Sequence, residues 1–135
     1  MKKILVIDDD ISICRTIDLY LGDKLHVLSA NSAKEGLSVF EKESPPVVIL
    51  DIKLPDLSGL EVLKILKNID ATVCVIIITA FQDMETTIEA IKNGAFDYIS
   101  KPINTNEFDL SIQRAFHTLE LHKKLKDLQD EVYAN

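Results

Sequence analysis

Asp8, Asp9, Asp51, Thr79 and Lys101 are the residues whose types and places point to chemistry. Ile4-Leu5-Val6-Ile7 runs into Asp8 and Asp9, and Val47-Val48-Ile49-Leu50 runs into Asp51. Val73 to Ile78 ends in Thr79, and Phe96 to Ser100 ends in Lys101. If those stretches are neighbouring strands, all five residues meet at one sheet edge, with strands roughly 5 Å apart. Carboxylates in one crevice repel each other and stay ionised together most easily around a hard cation. Mg²⁺ takes oxygen ligands, keeps several waters and often completes its shell with phosphate oxygens. A lysine and a hydroxyl on the same rim suit those oxygens. The set reads as metal-assisted phosphoryl transfer to a carboxylate nucleophile.

The elements needed to position these residues are legible in the pattern. Unbroken apolar runs suit strands buried on both faces. The spacing predicts strands at Ile4–Ile7, Leu25–Leu28, Val47–Leu50, Val73–Ile78 and Phe96–Ser100. Between them, helical spacing links Ile11, Cys14, Ile17 and Leu21, then Ala33, Leu37 and Phe40, then Leu60, Leu63, Ile65 and Leu66, then Met84, Ile88 and Ile91. Ser32 with Glu35 and Ser58 with Glu61 read as capping boxes. Asp83 and Asn104 read as N-caps, Gly22 as a C-terminal glycine, and Asn93-Gly94 as a helix stop. Pro55 and Gly59 punctuate the loop after Asp51. Strands alternating with helices predict a parallel sheet covered on both faces, whose ligand crevice lies at the carboxyl ends of the strands.

The chain has 135 residues, enough for one domain, and 47% of them are hydrophobic, enough for a packed core. A net charge of −7 argues against direct binding to a nucleic-acid backbone. Cys14 and Cys74 fall in apolar periodic segments and read as reduced core thiols. His26, His117 and His122 form no ligand cluster. The acidic triplet ends the first apolar run too early for a signal peptide, and no segment is long enough to span a bilayer. The expected setting is cytoplasmic.

Four stretches together carry a family resemblance: Ile4-Leu-Val-Ile-Asp8-Asp9-Asp10, Asp51-Ile-Lys-Leu-Pro55-Asp-Leu-Ser-Gly59, Thr79-Ala80, and Gly94-Ala-Phe-Asp-Tyr98-Ile-Ser-Lys101-Pro102. In combination and order they resemble the receiver domain of two-component response regulators, over residues 1–118. The resemblance implies a flavodoxin-like, doubly wound five-stranded parallel sheet of order 2-1-3-4-5; the chemotaxis regulator is the standard example of that order. It implies that Asp51 accepts a phosphoryl group from a phosphohistidine on a sensor histidine kinase. Asp9, Asp51 and the backbone carbonyl of Lys53 would bind Mg²⁺, or Mn²⁺ in its place, with Asp8 acting through water. Thr79 would hydrogen-bond the phosphoryl group and Lys101 would pair with its oxygens, helped by a cis peptide before Pro102. Tyr98 would be an aromatic switch that follows Thr79. Lys53 and Phe81 occupy places that tune phosphoryl lifetime. On this reading the chain is not an enzyme with a free substrate.

The last helix carries two apolar stripes. Phe108, Ile112, Ala115 and Leu119 form one; Leu121, Leu125, Leu128 and Val132 form another at coiled-coil spacing, about 220° away at 100° per residue. Residues 119–135 are therefore expected to be a helical extension, linker or dimerisation coiled coil that pairs with a second copy. Such extensions resemble those joining receivers to AAA+ transcription activators of the nitrogen-regulation type, which places an output domain beyond this chain. One rival comes from another class. Asp8-Asp9-Asp10 after a strand also fits a haloacid-dehalogenase-type phosphatase, with Asp8 as nucleophile, Asp10 as acid, and Thr79 and Lys101 as phosphate binders. That reading leaves Asp51 and the loop from Pro55 to Gly59 unexplained.

Overall fold

The protein is described by a computed structural model covering residues 2–134; Met1 and Asn135, at the ends of the two expected segments, lie outside the described residues. Strands β1 (Lys3–Ile7), β2 (His26–Ala30), β3 (Val47–Asp51), β4 (Cys74–Thr79) and β5 (Asp97–Ser100) alternate with helices α1 (Ile11–Leu21), α2 (Ala33–Glu43), α3 (Gly59–Ile69), α4 (Met84–Lys92) and α5 (Thr105–Ala134). All pairings are parallel and the order is β2-β1-β3-β4-β5, as the resemblance implies.

The apolar runs conceal an alternation that the fold makes visible. Leu5 and Ile7, Val48 and Leu50, and Val75 and Ile77 pack with α2, α3 and α4 through Phe40, Val62, Leu63, Leu66 and Ala90. Ile4 and Val6, Val47 and Ile49, and Cys74, Ile76 and Ile78 pack on the other face with Cys14, Ile17 and Leu21 of α1 and Phe108, Ile112 and Ala115 of α5. Successive strand residues point to opposite faces, and both faces are covered, so no polar residue is needed until the strand ends. Both cysteines are free and buried, as expected.

Local signals mostly act as read. Ser32 and Ser58 accept hydrogen bonds from the amides of Glu35 and Glu61. Asn104 caps α5 by accepting from the amides of Asn106 and Glu107. Asn93 closes α4 and Gly94 turns the chain at φ +103.

Four expectations need correction. Gly22 ends α1 in the right-handed region, φ −59, so it does not act through the left-handed freedom of glycine. Asp83 makes no side-chain cap, because a 3-10 turn over Phe81–Asp83 precedes α4; its carboxylate lies 3.9 Å from Lys53 Nζ instead. α4 does not bury its isoleucines: Ile88 and Ile91 are exposed, while Thr87 and Ala90 face the core. In α3, Ile65 is exposed and Val62 takes its place in the core.

α5 is a single helix of 30 residues, about 45 Å long at 1.5 Å per residue. Phe108, Ile112 and Ala115 are buried and Leu119 is half-buried. From Glu120 to Tyr133 every residue is exposed, including Leu125 at 59% and Val132 at 70%.

Gly59 ties the fold to the crevice. The loop after β3 folds back through a bridge between Lys53 and Ser58, and the Gly59 amide donates to Ile52 O at 2.8 Å. A Cβ at Gly59 would sit 2.5 Å from Asp51 O and 2.6 Å from Ile52 Cα, which are backbone atoms with little freedom to yield. Gly59→Ala is expected to cost about 1–3 kcal/mol through overpacking, read as a lower urea midpoint at unchanged slope. An unchanged midpoint would show that the loop can move aside.

Candidate functional site

Register places the polar residues before any side chain is considered. Ile7 is level with Leu50, so Asp8 and Asp51 follow side by side. Asp51 is level with Ile78 and Thr79 with Ser100, so Thr79 and Lys101 also reach the carboxyl edge of the sheet. Asp8 and Asp51 continue the alternating rows of Ile4 and Val6, and of Val47 and Ile49, which face α1 and α5. Lys101 continues that of Ile99. Thr79 continues the opposite row, of Val75 and Ile77, and faces the α4 side.

The contacts follow this placement. Carboxylate oxygens of Asp8, Asp9 and Asp51 all lie within 4.8 Å of one another, the one such acidic group among the described residues. Lys101 Nζ lies 3.3 Å from Asp51 Oδ2 and 3.6 Å from Asp8 Oδ2. Asp51 Oδ1 accepts from the Lys53 amide at 3.1 Å, and Asp8 Oδ1 from the Asp10 amide at 2.9 Å. Asp8 and Asp51 are buried; Asp9 is exposed. Lys101 precedes Pro102 through a cis peptide.

Asp8 is the electrostatic weak point. Burial pushes its carboxyl up to about 7, the Asp10 amide opposes this, and the charge of Asp51 adds to the rise. Burial disfavours the Lys101 ammonium, but the charges of Asp51 and Asp8 outweigh it and raise its hold on its proton. Asp8 Oδ2 is buried without a hydrogen-bond partner. One lysine does not balance the cluster, and an orphaned carboxylate oxygen beside two further carboxylates fits a divalent cation with oxygen ligands.

The other candidate residues lie around this core. Thr79 is buried, and its hydroxyl is 3.2 Å from Ala80 O and 2.7 Å from Thr87 Oγ1. Tyr98 is 43% exposed at the edge strand and Phe81 is 90% exposed in the 3-10 turn after β4. Asp10 is spent on the α1 cap, where its Oδ1 accepts from the Ser12 amide and hydroxyl, so it does not stand beside the cluster as a free acid.

Two residues escaped the sequence reading. Asp56 accepts from the Ala33 and Lys34 amides at 2.9 and 3.0 Å, fastening the loop after Asp51 to the start of α2. Its place beside Pro55 gave a turn signal but named no partner. Thr87 lies inside a helical pattern whose isoleucines drew the eye; a lone threonine there carries no signal for a buried contact.

The response regulator receiver domain model matches residues 4–113. The chain belongs to that family. It is 32% identical over 131 residues to the regulatory protein AtoC of Escherichia coli, covering 95% of this chain and 28% of that protein. A response regulator receiver domain structure from Clostridium thermocellum is 40% identical with a TM-score of 0.85, over 90% of this chain and 98% of that one. The structure of NtrX from Brucella abortus with ADP is 32% identical with a TM-score of 0.88, over 95% of this chain and 30% of that one. The receiver thus spans less than a third of AtoC and of the NtrX chain. No helix among its described residues is long and apolar enough to cross a membrane.

Asp8 gives the receiver a pH signature. Its carboxyl is raised from 3.8 to about 7, so the folded state holds its proton more tightly than the unfolded state. The stability this group contributes is full below about pH 3.8 and is lost as pH rises through about 7. Without divalent cations, Asp8→Asn should raise the melting temperature at pH 8 and flatten its fall between pH 5.5 and 8. Parallel wild-type and Asp8→Asn curves would show that Asp8 ionises without penalty.

Proposed function

We propose that this receiver takes a phosphoryl group on Asp51 from a sensor histidine kinase, in a Mg²⁺-dependent reaction, and passes the change to its last helix. One observation carries the proposal: Asp8, Asp9 and Asp51 converge within 4.8 Å while Lys101 reaches both buried carboxylates. Asp8, Asp9, Asp51 and the Lys53 carbonyl would hold the cation, which supplies charge neutralisation for phosphate oxygens.

The protein's own groups do the rest. The Lys53 amide fixes the Asp51 carboxylate at the end of β3. An oxygen of Asp51 attacks phosphorus, a P–O bond forms, and the P–N bond of the phosphohistidine breaks with its electron pair leaving on the imidazole nitrogen. The Lys101 ammonium, with its proton firmly held, faces the phosphoryl oxygens. The Thr79 hydroxyl donates to one of them, and Tyr98, half-exposed on β5, responds as a switch. Acceptance is stoichiometric, and loss to water returns the carboxylate. Asp10, occupied by the α1 cap, is a poor fit to the acid of a phosphatase.

Residues 1–118 form the receiver and 119–135 the extension. The extension pairs with a second copy, because Leu121, Leu125, Leu128 and Val132 stand in water at a cost of roughly 1.5 kcal/mol or more each. A second relative, ZraR of Escherichia coli, is named a transcriptional regulatory protein, which supports a cytoplasmic role in transcription control through a further output domain. The net charge of −7 argues against direct nucleic-acid binding by the receiver itself.

With Mg²⁺ and acetyl phosphate, the chain should gain one phosphoryl group by intact mass, and Asp51→Asn should gain none. Full labelling of Asp51→Asn, mapped to Asp8, overturns the acceptor assignment. In sedimentation at tens of micromolar, the whole chain should be dimeric in at least one phosphorylation state, and a chain ending at Leu119 monomeric in both. Two monomers in every condition would reduce the extension to a tail.

A further inference from the structure

Thr79 and Thr87 form a buried hydroxyl pair, with Oγ atoms 2.7 Å apart and both residues almost wholly inaccessible. Thr79 ends β4 on the row that faces α4, whereas Asp51 lies on the opposite row of the neighbouring strand. The Thr79 hydroxyl is therefore held on the helix side of the sheet edge. Three contacts compete for two protons: Thr79 to Thr87 at 2.7 Å, Thr79 to Ala80 O at 3.2 Å, and Thr87 to Asp83 O at 3.0 Å. In one arrangement Thr79 donates to Thr87, which donates to Asp83 O. In the other Thr87 donates to Thr79, which is then free to donate elsewhere. Each arrangement keeps both protons bonded, as buried hydroxyls require.

We propose that Thr87 is a positioning residue that couples the phosphorylation site to α4 through the Thr79 hydroxyl. This rests on Asp51 being the phosphoryl acceptor. A phosphoryl group brings strong acceptor oxygens to the edge, and Thr79 meets them only by turning its hydroxyl away from the α4 side. Thr87 must then follow, drawing the first turn of α4 with it, or release Thr79 and keep only Asp83 O. Either way α4 changes because Thr79 has changed. Asp83 lies in the preceding 3-10 turn and its carboxylate is 3.9 Å from Lys53 Nζ, so the same link ends beside the loop that follows the acceptor. The absence of any cap on α4 by Asp83 leaves that first turn free to respond.

The test compares amide chemical shifts of Glu85–Ile91 before and after acetyl phosphate with Mg²⁺, normalised to the phosphorylated fraction. Thr87→Val keeps the shape and removes the hydroxyl; it should at least halve the shift change across α4. Thr87→Ser restores the hydroxyl and should restore the response, which a purely packing role would not predict. Thr79→Val breaks the pair from its other side and should give the same loss. A full response in Thr87→Val, or failure of Thr87→Ser to recover it, overturns the proposal. So does loss of phosphoryl uptake in Thr87→Val with uptake kept in Thr79→Val, because Thr87 would then act on the site by another route. If the wild-type chain itself takes no phosphoryl group, the acceptor reading fails first and this coupling falls with it.

Discussion

Asp8 and Asp51 are buried carboxylates side by side at a sheet edge, and the pair is tolerated only with a nearby cation or a proton on Asp8. Lys101 supplies one positive charge, shared between them at 3.6 and 3.3 Å. The remaining imbalance appears as the raised carboxyl of Asp8 and its orphaned oxygen. A site built this way is deliberately unsatisfied. A divalent cation bound there would relieve the repulsion, and the proposed phosphoryl chemistry would use the same charges. On that proposal, relief of local repulsion and readiness for phosphoryl oxygens are one property.

Such crowding survives because the sheet beneath it does not yield. The apolar rows of β1, β3 and β4 are sealed by α2, α3 and α4 on one face and by α1 and α5 on the other. Packed interiors resist displacement of even a methylene, so the strand ends are held as a rigid frame. The loop after Asp51 is fastened three ways: the Lys53–Ser58 bridge, the Gly59 amide on Ile52, and Asp56 on the start of α2. Rigidity there contrasts with the β4–α4 segment, where a 3-10 turn and an uncapped helix replace such ties.

The sheet and the acidic cluster were legible because both rest on order along the chain. Continuous apolar runs give strands, polar residues at their ends give an edge, and parallel topology puts those ends together. Boundaries shifted by a residue or two: β2 begins at His26 rather than Leu25, and β4 includes Thr79. What stayed hidden depends on direction across space. Helical spacing flagged Ile88 and Ile91, yet α4 turns Thr87 and Ala90 inward, with the Thr87 hydroxyl satisfied by Thr79 and Asp83 O. Asp83 reads as an N-cap and Asp56 as a turn residue, but the first pairs with a lysine and the second caps a distant helix. Gly22 sits where a C-terminal glycine belongs and does not use the conformation that recommends one.

α5 connects the two scales of the molecule. Its first turns are anchored: Phe108, Ile112 and Ala115 pack in the core, and Ser111 Oγ donates to Asp97 of β5 at 2.8 Å. The same unbroken helix then carries Leu121, Leu125, Leu128 and Val132 into solvent on another side. A helix without a breaker has no hinge, so a small rotation at its base turns the exposed stripe through the same angle and displaces its far end in proportion to distance. The base lies a few residues beyond Lys101, and β5 offers Tyr98 beside Asp97. Were its base to shift, the exposed part of the helix from Glu120 on, about 22 Å long at 1.5 Å per residue, would move with it. The two stripes read from the sequence thus lie on one unbroken helix, one gripping the sheet and the other presenting a surface that water disfavours.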